Sequence, residues 1–102
     1  MSFTVKSEVI DQVAKLTLAG SLDSSTAAAF HQEIIKIIPQ NPRELVMDAE
    51  HLDFMSSAGL RVIIFAKQKL GPSVKLCLLK PQEQLVETLR MTGLIFSLTI
   101  ID

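Results

Sequence analysis

The sequence contains no tryptophan, no tyrosine and one cysteine, and each shortage argues against a class of protein. Without Trp, Tyr or a run of Lys and Arg, it lacks the stacking platforms and the basic patch typical of nucleic-acid binding. The lone Cys77 has no partner for an internal disulfide, which favours a reducing compartment. No cluster of side chains has metal-ligand spacing, and no phosphate-binding glycine loop is present. We therefore expect no nucleic-acid partner, no metal and no cofactor.

Long apolar runs are also missing. No segment approaches the roughly 20 apolar residues that a membrane-spanning helix needs, and residues 1–6 lack the regions of a signal peptide. The chain has 102 residues, of which 48% are hydrophobic and 21% charged, with a net charge of −1. These values are typical of one soluble globular domain. We expect a single domain over residues 1–102, located in the cytoplasm, away from membranes and monomeric.

Alternation and helical periodicity divide the chain into eight elements. Alternating apolar and polar residues predict β-strands, and the first two strands flank a turn at residues 10–12, as in an antiparallel hairpin. The strands are expected at residues 3–9, 14–18, 44–48, 74–78 and 96–100. Apolar stripes with helical spacing predict helices at residues 24–38, 57–70 and 82–92, and the stripe of the second helix contains Leu60, Ile63 and Ile64. Asp23 or Ser24 is the expected N-cap of the first helix, and Gly93 ends the third.

The order ββαβαβαβ predicts a mixed, mainly parallel five-stranded sheet. Strands that are buried on both faces are continuously apolar, whereas several strands here alternate with Lys, Glu, Thr or Ser. One face of the sheet is therefore expected to meet water, and the helices are expected on the other. The predicted fold is a two-layer α/β sandwich.

The junction between the third strand and the second helix carries two consecutive hydroxyls. Ser56 suits an N-cap and Ser57 the first helical turn, a common arrangement in helices with no further role. A phosphate on Ser57 would face free backbone N–H groups and the positive end of the helix dipole. Gly59 costs about 1 kcal/mol inside a helix relative to Ala. Its presence indicates that either the sheet or a partner approaches the backbone closely.

Residues 54–63 resemble the signature of STAS domains in the anti-sigma-factor antagonist (anti-anti-sigma factor) family. The segment is Phe54-Met55-Ser56-Ser57-Ala58-Gly59-Leu60-Arg61-Val62-Ile63. Weaker similarities are the Gly20-Ser21-Leu22-Asp23 step, the third strand ending in Asp48, and Gly93 followed by Leu94. Together they cover nearly the whole chain.

The resemblance implies a phosphoprotein in a bacterial partner-switching cycle that regulates transcription. The unmodified protein would bind an anti-sigma factor that is also a serine kinase, and so release the sigma factor. Phosphorylation of Ser57 would end this binding, and a PP2C-type phosphatase would restore it. Many family members have Asp where this chain has Ser56 and a hydroxyl where it has Ala58, so Ser56 is the alternative acceptor. The resemblance implies a partner-binding surface at Asp23, Met55, Ser56, Ala58, Gly59, Leu60 and Arg61.

Other interpretations remain open at this stage. A STAS module can serve as an unphosphorylated structural or regulatory subunit of a transport or sensory complex. His51, Asp53 and the two serines have the residue types of a hydrolase triad, but a triad converges from separate elements, so we do not expect an enzyme. Asp48 could hold the serine loop by a hydrogen bond or be a solvated strand end. We expect Cys77 to be an inert thiol.

Overall fold

The computed structural model describes residues 3–102 of the chain, which form one five-stranded sheet and three α-helices. The strands are β1 (Phe3–Ile10), β2 (Val13–Leu22), β3 (Glu44–Met55), β4 (Lys75–Leu79) and β5 (Thr99–Ile101). The helices are α1 (Ala27–Ile37), α2 (Ser57–Leu70) and α3 (Glu83–Thr92), with short 3-10 helices at Ile38–Gln40 and Leu94–Ser97.

The strands lie in the sheet in the order in which they occur in the chain, β1-β2-β3-β4-β5. β1 and β2 are antiparallel, and all later neighbours are parallel. The two-residue hairpin turn places Asp11 and Gln12 at φ values of 51° and 65°. This left-handed conformation is the one that a tight hairpin turn requires.

The hydrophobic core lies on one face of the sheet. Leu16 of β2 pairs with Met47 of β3, and Met47 pairs with Leu78 of β4; all three are fully buried. The residues between them along β2, such as Lys15 and Thr17, are exposed on the other face. The predicted two-layer α/β sandwich, with a mixed sheet and one open face, is confirmed.

The buried face of the second helix differs from the expected one at one residue, Ile64. Its stripe toward the sheet contains Gly59, Ile63 and Ala66, with spacings of four and three residues, and all three are buried. Leu60 is also buried, as expected, but Ile64 is 43% exposed. The expected stripe of Leu60, Ile63 and Ile64 is therefore wrong at Ile64. The close approach at Gly59 sets the rotation of the helix and turns Ile64 outward.

Several element boundaries differ from the sequence prediction. β2, expected at residues 14–18, continues to Leu22. α1 begins at Ala27, because residues 23–26 form a turn before it. β3 continues beyond residue 48 to Met55. β5 begins only at Thr99, because Gly93 enters the left-handed region at φ 80° and leads into a 3-10 helix. Phe96, expected inside the fifth strand, lies in that 3-10 helix and is 89% exposed.

Candidate functional site

The two chain segments with candidate site residues meet where β2 and β3 end. β3 pairs with β4 only as far as Asp48, and beyond that point β2 and β3 continue together as a ribbon. The ribbon ends at the pair Leu22 and Met55, and the backbone N–H of Ser56 donates to the carbonyl of Leu22 at 2.8 Å. Asp23 directly follows Leu22, and Ser57 lies two residues after Met55, so both lie at the same edge of the sheet.

Gly59 allows α2 to start directly against this ribbon. A Cβ atom on Gly59 would lie 2.7 Å from Cγ of Met55 and 2.8 Å from Cγ of Leu22. Both neighbouring side chains are buried, and a well-packed core has little room to move them. Of the two explanations offered for this glycine, close approach of the sheet is the one observed.

The two serines at the junction have opposite environments. Ser57 is the first residue of α2, and its side chain is exposed. The Oγ atom of Ser56 is buried and has no hydrogen-bond partner among the described residues. A kinase must reach the hydroxyl that it modifies, so the geometry favours Ser57 over Ser56 as an acceptor.

The N-terminus of α2 offers unused hydrogen-bond donors. Ser56 occupies the N-cap position with extended backbone, and its carbonyl accepts a hydrogen bond from the N–H of Leu60 at 3.1 Å. Its side chain makes no capping hydrogen bond. The predicted N-cap position of Ser56 is thus confirmed, although its hydroxyl does not cap. The first N–H groups of a helix have no partner inside it, which suits a phosphate on Ser57.

Asp23 organises the turn before α1 instead of capping the helix itself. Its carboxylate accepts hydrogen bonds from the N–H and the hydroxyl of Ser25, at 2.9 and 2.7 Å, and from the N–H of Thr26 at 3.2 Å. These bonds, chiefly the one from the Ser25 hydroxyl, lower the pKa of Asp23 below its usual value. The N-cap position belongs to Thr26, so the predicted cap at Asp23 or Ser24 is wrong. The intervening turn delays the helix by three residues.

The other residues of the expected partner surface divide by exposure. Met55, Gly59 and Leu60 are buried by contacts within the domain. Ala58 is half-buried, and Arg61 is exposed one helical turn after Ser57. An interface that uses this helix end would therefore touch Ser57, Ala58 and Arg61 directly, while the buried residues hold the helix in place.

An open groove begins at Ser57 and continues between α2 and the end of α3. A cavity of about 360 Å³ has Ser57, Leu60, Arg61, Ile64, Thr92, Gly93 and Leu94 as its lining. A second cavity of about 410 Å³ shares Ile64 and Leu94 with it and extends to Gly71 and Pro72. The two form one groove along α2, with the candidate phosphorylation site at its end. We call this feature the α2–α3 groove.

Asp48 and His51 take no part in the serine junction. Asp48 lies seven residues before the end of β3, a separation of about 20 Å along a strand. Its carboxylate accepts a hydrogen bond from the N–H of Glu50 at 3.1 Å. The alternative in which Asp48 accepts a hydrogen bond from the serine loop is therefore wrong. His51 lies 3.9 Å from the carboxylate of Glu50 and makes no hydrogen bond with either serine in residues 3–102.

Two further side chains near the sheet behave differently from each other. Phe54, not predicted as a site residue, pairs with Ser21 next to the junction and is 53% exposed. Irregular pairing between β2 and β3 breaks the alternation here, so no periodic signal marked Phe54. Cys77 is fully buried. Burial, followed by its hydrogen bond to Glu44, raises the pKa of this thiol, which agrees with an inert cysteine.

The model of the STAS domain matches residues 4–102 of the chain. The chain belongs to the STAS domain family. The anti-sigma-F factor antagonist RsfB of Mycobacterium tuberculosis is 36% identical over 74 residues, 72% of this chain and 61% of that protein. The match thus spans about three fifths of the length of this curated relative.

Solved structures confirm the STAS fold. The crystal structure of an anti-sigma factor antagonist from Mycobacterium paratuberculosis superimposes with a TM-score of 0.88 and 26% identity, over 98% of this chain and 86% of that one. The Bacillus cell fate determinant SpoIIAA in its phosphorylated form has a TM-score of 0.73 and 20% identity, over 99% and 92% of the two chains. Similarity at this identity concerns the fold alone.

Two kinds of feature are absent from residues 3–102 of this STAS domain. No helix there is long and apolar enough to cross a membrane. No group of three or more His, Cys, Asp or Glu side chains in that part of the chain could hold a metal ion.

Proposed function

We propose that this STAS domain is an anti-sigma-factor antagonist that is regulated by phosphorylation of Ser57. The observation that carries the proposal is the contrast between Ser57, exposed at the first position of α2, and Ser56, whose Oγ is buried. The names of RsfB and of the mycobacterial structural neighbour support the antagonist role. The domain itself would be a binding protein and not an enzyme.

The partner would be an anti-sigma factor with serine-kinase activity, which binds the unmodified domain at the exposed start of α2. Phosphorylation adds a charge of about −1.5 to −2 at pH 7. The free N–H groups and dipole of α2 stabilise such a charge without unfolding the domain. The same charge lies where the partner has to contact Ser57, Ala58 and Arg61, so it obstructs the complex. A PP2C-type phosphatase would reverse the modification.

The phosphorylation site can be tested by mass spectrometry. Purified protein is incubated with ATP and each serine-kinase anti-sigma factor encoded in the same genome, and the modified residue is located by peptide fragmentation. We expect one phosphate on the wild type and on Ser56→Ala, and none on Ser57→Ala. Full labelling of Ser57→Ala would contradict the assignment, and loss of label in Ser56→Ala alone would make Ser56 the acceptor.

Binding to the anti-sigma factor is measured separately. We expect a stable complex with the unmodified domain and a much weaker one with the phosphorylated domain. A wild type that is neither bound nor labelled by any of these factors, but co-purifies with a transport or sensory complex regardless of Ser57→Asp, would contradict the proposal. That outcome would favour a STAS module with a structural role.

A further inference from the structure

The α2–α3 groove is apolar along its floor and positively charged along its rim. Ile64 and Leu94 are common to both of its cavities, and Ile64 is 43% exposed. Arg61 lines one cavity and Lys67 the other, whereas no Asp or Glu lines either one. The groove therefore carries two positive charges in a chain whose net charge is −1.

Arg61 and Lys67 are available to a partner. Neither forms an ion pair within residues 3–102, although other basic side chains there do: Lys36 with Glu33 at 2.7 Å, and Arg90 with Glu87. Charge complementarity across an interface increases association rate and specificity. The groove therefore fits a segment with apolar residues on one side and carboxylates beside them.

The shape of the groove favours a helical segment. Its walls are α2 on one side and the segment from Thr92 to Ser97 on the other, so it presents no free strand edge. An extended peptide needs such an edge for backbone pairing, whereas a helix satisfies its own backbone and docks by its apolar stripe. α2 has 14 residues and a length of about 20 Å, enough to contact roughly four turns of a docked helix.

We propose that the α2–α3 groove binds an acidic amphipathic helix of the anti-sigma factor, an inference that rests on the proposed function. The groove begins at Ser57, so the binding surface and the phosphorylation site are continuous. A phosphate on Ser57 repels the carboxylates of the docked helix. It also attracts Arg61, which lies four residues later on the same helix face, and withdraws that cation from the partner.

The test is titration calorimetry of wild type and variants with the anti-sigma factors encoded in the same genome. We expect Ile64→Glu, in the middle of the groove, to weaken binding about 30-fold, the range of an interface hot spot. Lys67→Glu should weaken it about tenfold and make it less sensitive to salt. Lys6→Glu changes charge equally on the open face of the sheet, where Lys6 pairs with Thr17, and should bind as the wild type does.

The outcomes separate this proposal from the function on which it rests. If the wild type binds and is phosphorylated, while Ile64→Glu and Lys67→Glu bind equally well, the groove assignment is overturned and the function stands. Tighter binding by Lys67→Glu would also overturn it, because the partner segment would then be basic. Self-association of the wild type that Ile64→Glu abolishes would make a second copy the occupant. A wild type that binds no anti-sigma factor overturns both proposals.

Circular dichroism checks that the variants are folded. Ile64→Glu places a charge at a position that is already 43% exposed, so its spectrum and Tm should stay close to those of the wild type. If Ile64→Glu unfolds, binding by Lys67→Glu alone tests the groove assignment, because that substitution changes a charge on the rim and leaves the core unchanged.

Discussion

The first turns of α1 and α2 lie at the same edge of the sheet, yet their hydrogen bonding is opposite. Before α1, the Asp23 carboxylate accepts hydrogen bonds from Ser25 and Thr26, and the Thr26 hydroxyl accepts from the N–H of Asp23 and donates to the carbonyl of Ser21. Before α2, the Ser56 hydroxyl is buried without a partner and the Ser57 hydroxyl is exposed. The first junction is therefore closed by its own side chains, while the second keeps its donors free for a ligand.

This difference supports Ser57 as the place for the proposed phosphate. The α2 junction does not depend on capping, because packing at Gly59 and the bond from Ser56 to Leu22 hold it in position. A charge can be added at Ser57 without removing a contact that the fold needs. At the α1 junction, the same addition would compete with the bonds of Asp23.

The largest effect is expected from the packing that holds α2. Gly59→Val puts a Cβ 2.7 Å from Cγ of Met55 and 2.8 Å from Cγ of Leu22, closer than van der Waals contact allows, and adds two methyl groups beyond it. Overpacking of this kind costs about 1–3 kcal/mol, and we expect a loss near the upper end in urea denaturation. The control Ala58→Val places the same side chain one position earlier, where it adds two methyl groups to a half-buried alanine. Equal losses in the two variants would contradict the close approach at Gly59.

A smaller loss is expected from opening the α1 junction. The Thr26 hydroxyl accepts from the N–H of Asp23 and donates to the carbonyl of Ser21, both at 2.9 Å. Thr26→Val keeps the shape but loses both bonds, which should lower the free energy of unfolding by about 1–2 kcal/mol. Thr17→Val, on the exposed face of the sheet, is the control. A stability of Thr26→Val equal to that of the wild type would show that this junction is not closed by its hydroxyl.

The ionised carboxylate of Asp23 should affect how the Tm of the domain falls at acid pH. The pKa of Asp23 is lowered in the folded protein from its ordinary value of 3.8, so the carboxylate stabilises the fold at higher pH. This contribution is lost as the pH falls from about 4 through the lowered folded-state pKa. Asp23→Asn should therefore have a flatter decline of Tm below about pH 4 than the wild type.

The control for this decline of Tm at acid pH is Asp53→Asn. Asp53 is exposed and accepts no side-chain hydrogen bond within residues 3–102, so its replacement should leave the decline of Tm as in the wild type. If the Tm of Asp23→Asn falls with pH as that of the wild type does, the ionised carboxylate does not stabilise the turn.

The smallest effect is expected at the α2 cap. Removing a serine that caps a helix costs about 1 kcal/mol, but the Ser56 side chain makes no capping bond and its buried Oγ is unpaired. Ser56→Ala should therefore change the free energy of unfolding by less than about 0.5 kcal/mol. Urea denaturation of Ser56→Ala and Thr26→Val under the same conditions compares their free energies of unfolding. A larger loss of stability in Ser56→Ala than in Thr26→Val would contradict the conclusion that only the α1 junction is closed by its side chains.

Periodicity predicted the elements that pack by a single repeating face. α3 was expected at residues 82–92 and is found at Glu83–Thr92, since Leu85 and Leu89 form one buried stripe and Gly93 ends it. The hairpin was equally clear as far as residue 18, where the alternation of β2 stops. The end of β3 was missed because bulges against β2 interrupt the alternation. The fifth strand was placed too early, because the alternation at Phe96 was that of exposed and half-buried residues in a 3-10 helix.

The candidate site was predictable in position but not in burial. The serine motif places Ser57 at a strand-to-helix junction, and helix capping accounts for that position. Which serine hydroxyl is exposed depends on how α2 is rotated, and that rotation follows from the contacts of Gly59 with Leu22 and Met55. The exposure of Ile64 has the same origin. Such tertiary contacts leave no repeating pattern in the sequence.

The order of the strands also bears on how the domain forms during synthesis. Every strand pairs with the strand made just before it, so no strand has to insert between two that are already paired. The ribosome adds about 5–20 residues per second, whereas a hairpin closes in about 1–10 μs. The β1–β2 hairpin thus has time to form and re-form before Glu44 emerges, and each later strand needs only the edge of the strand before it to pair with.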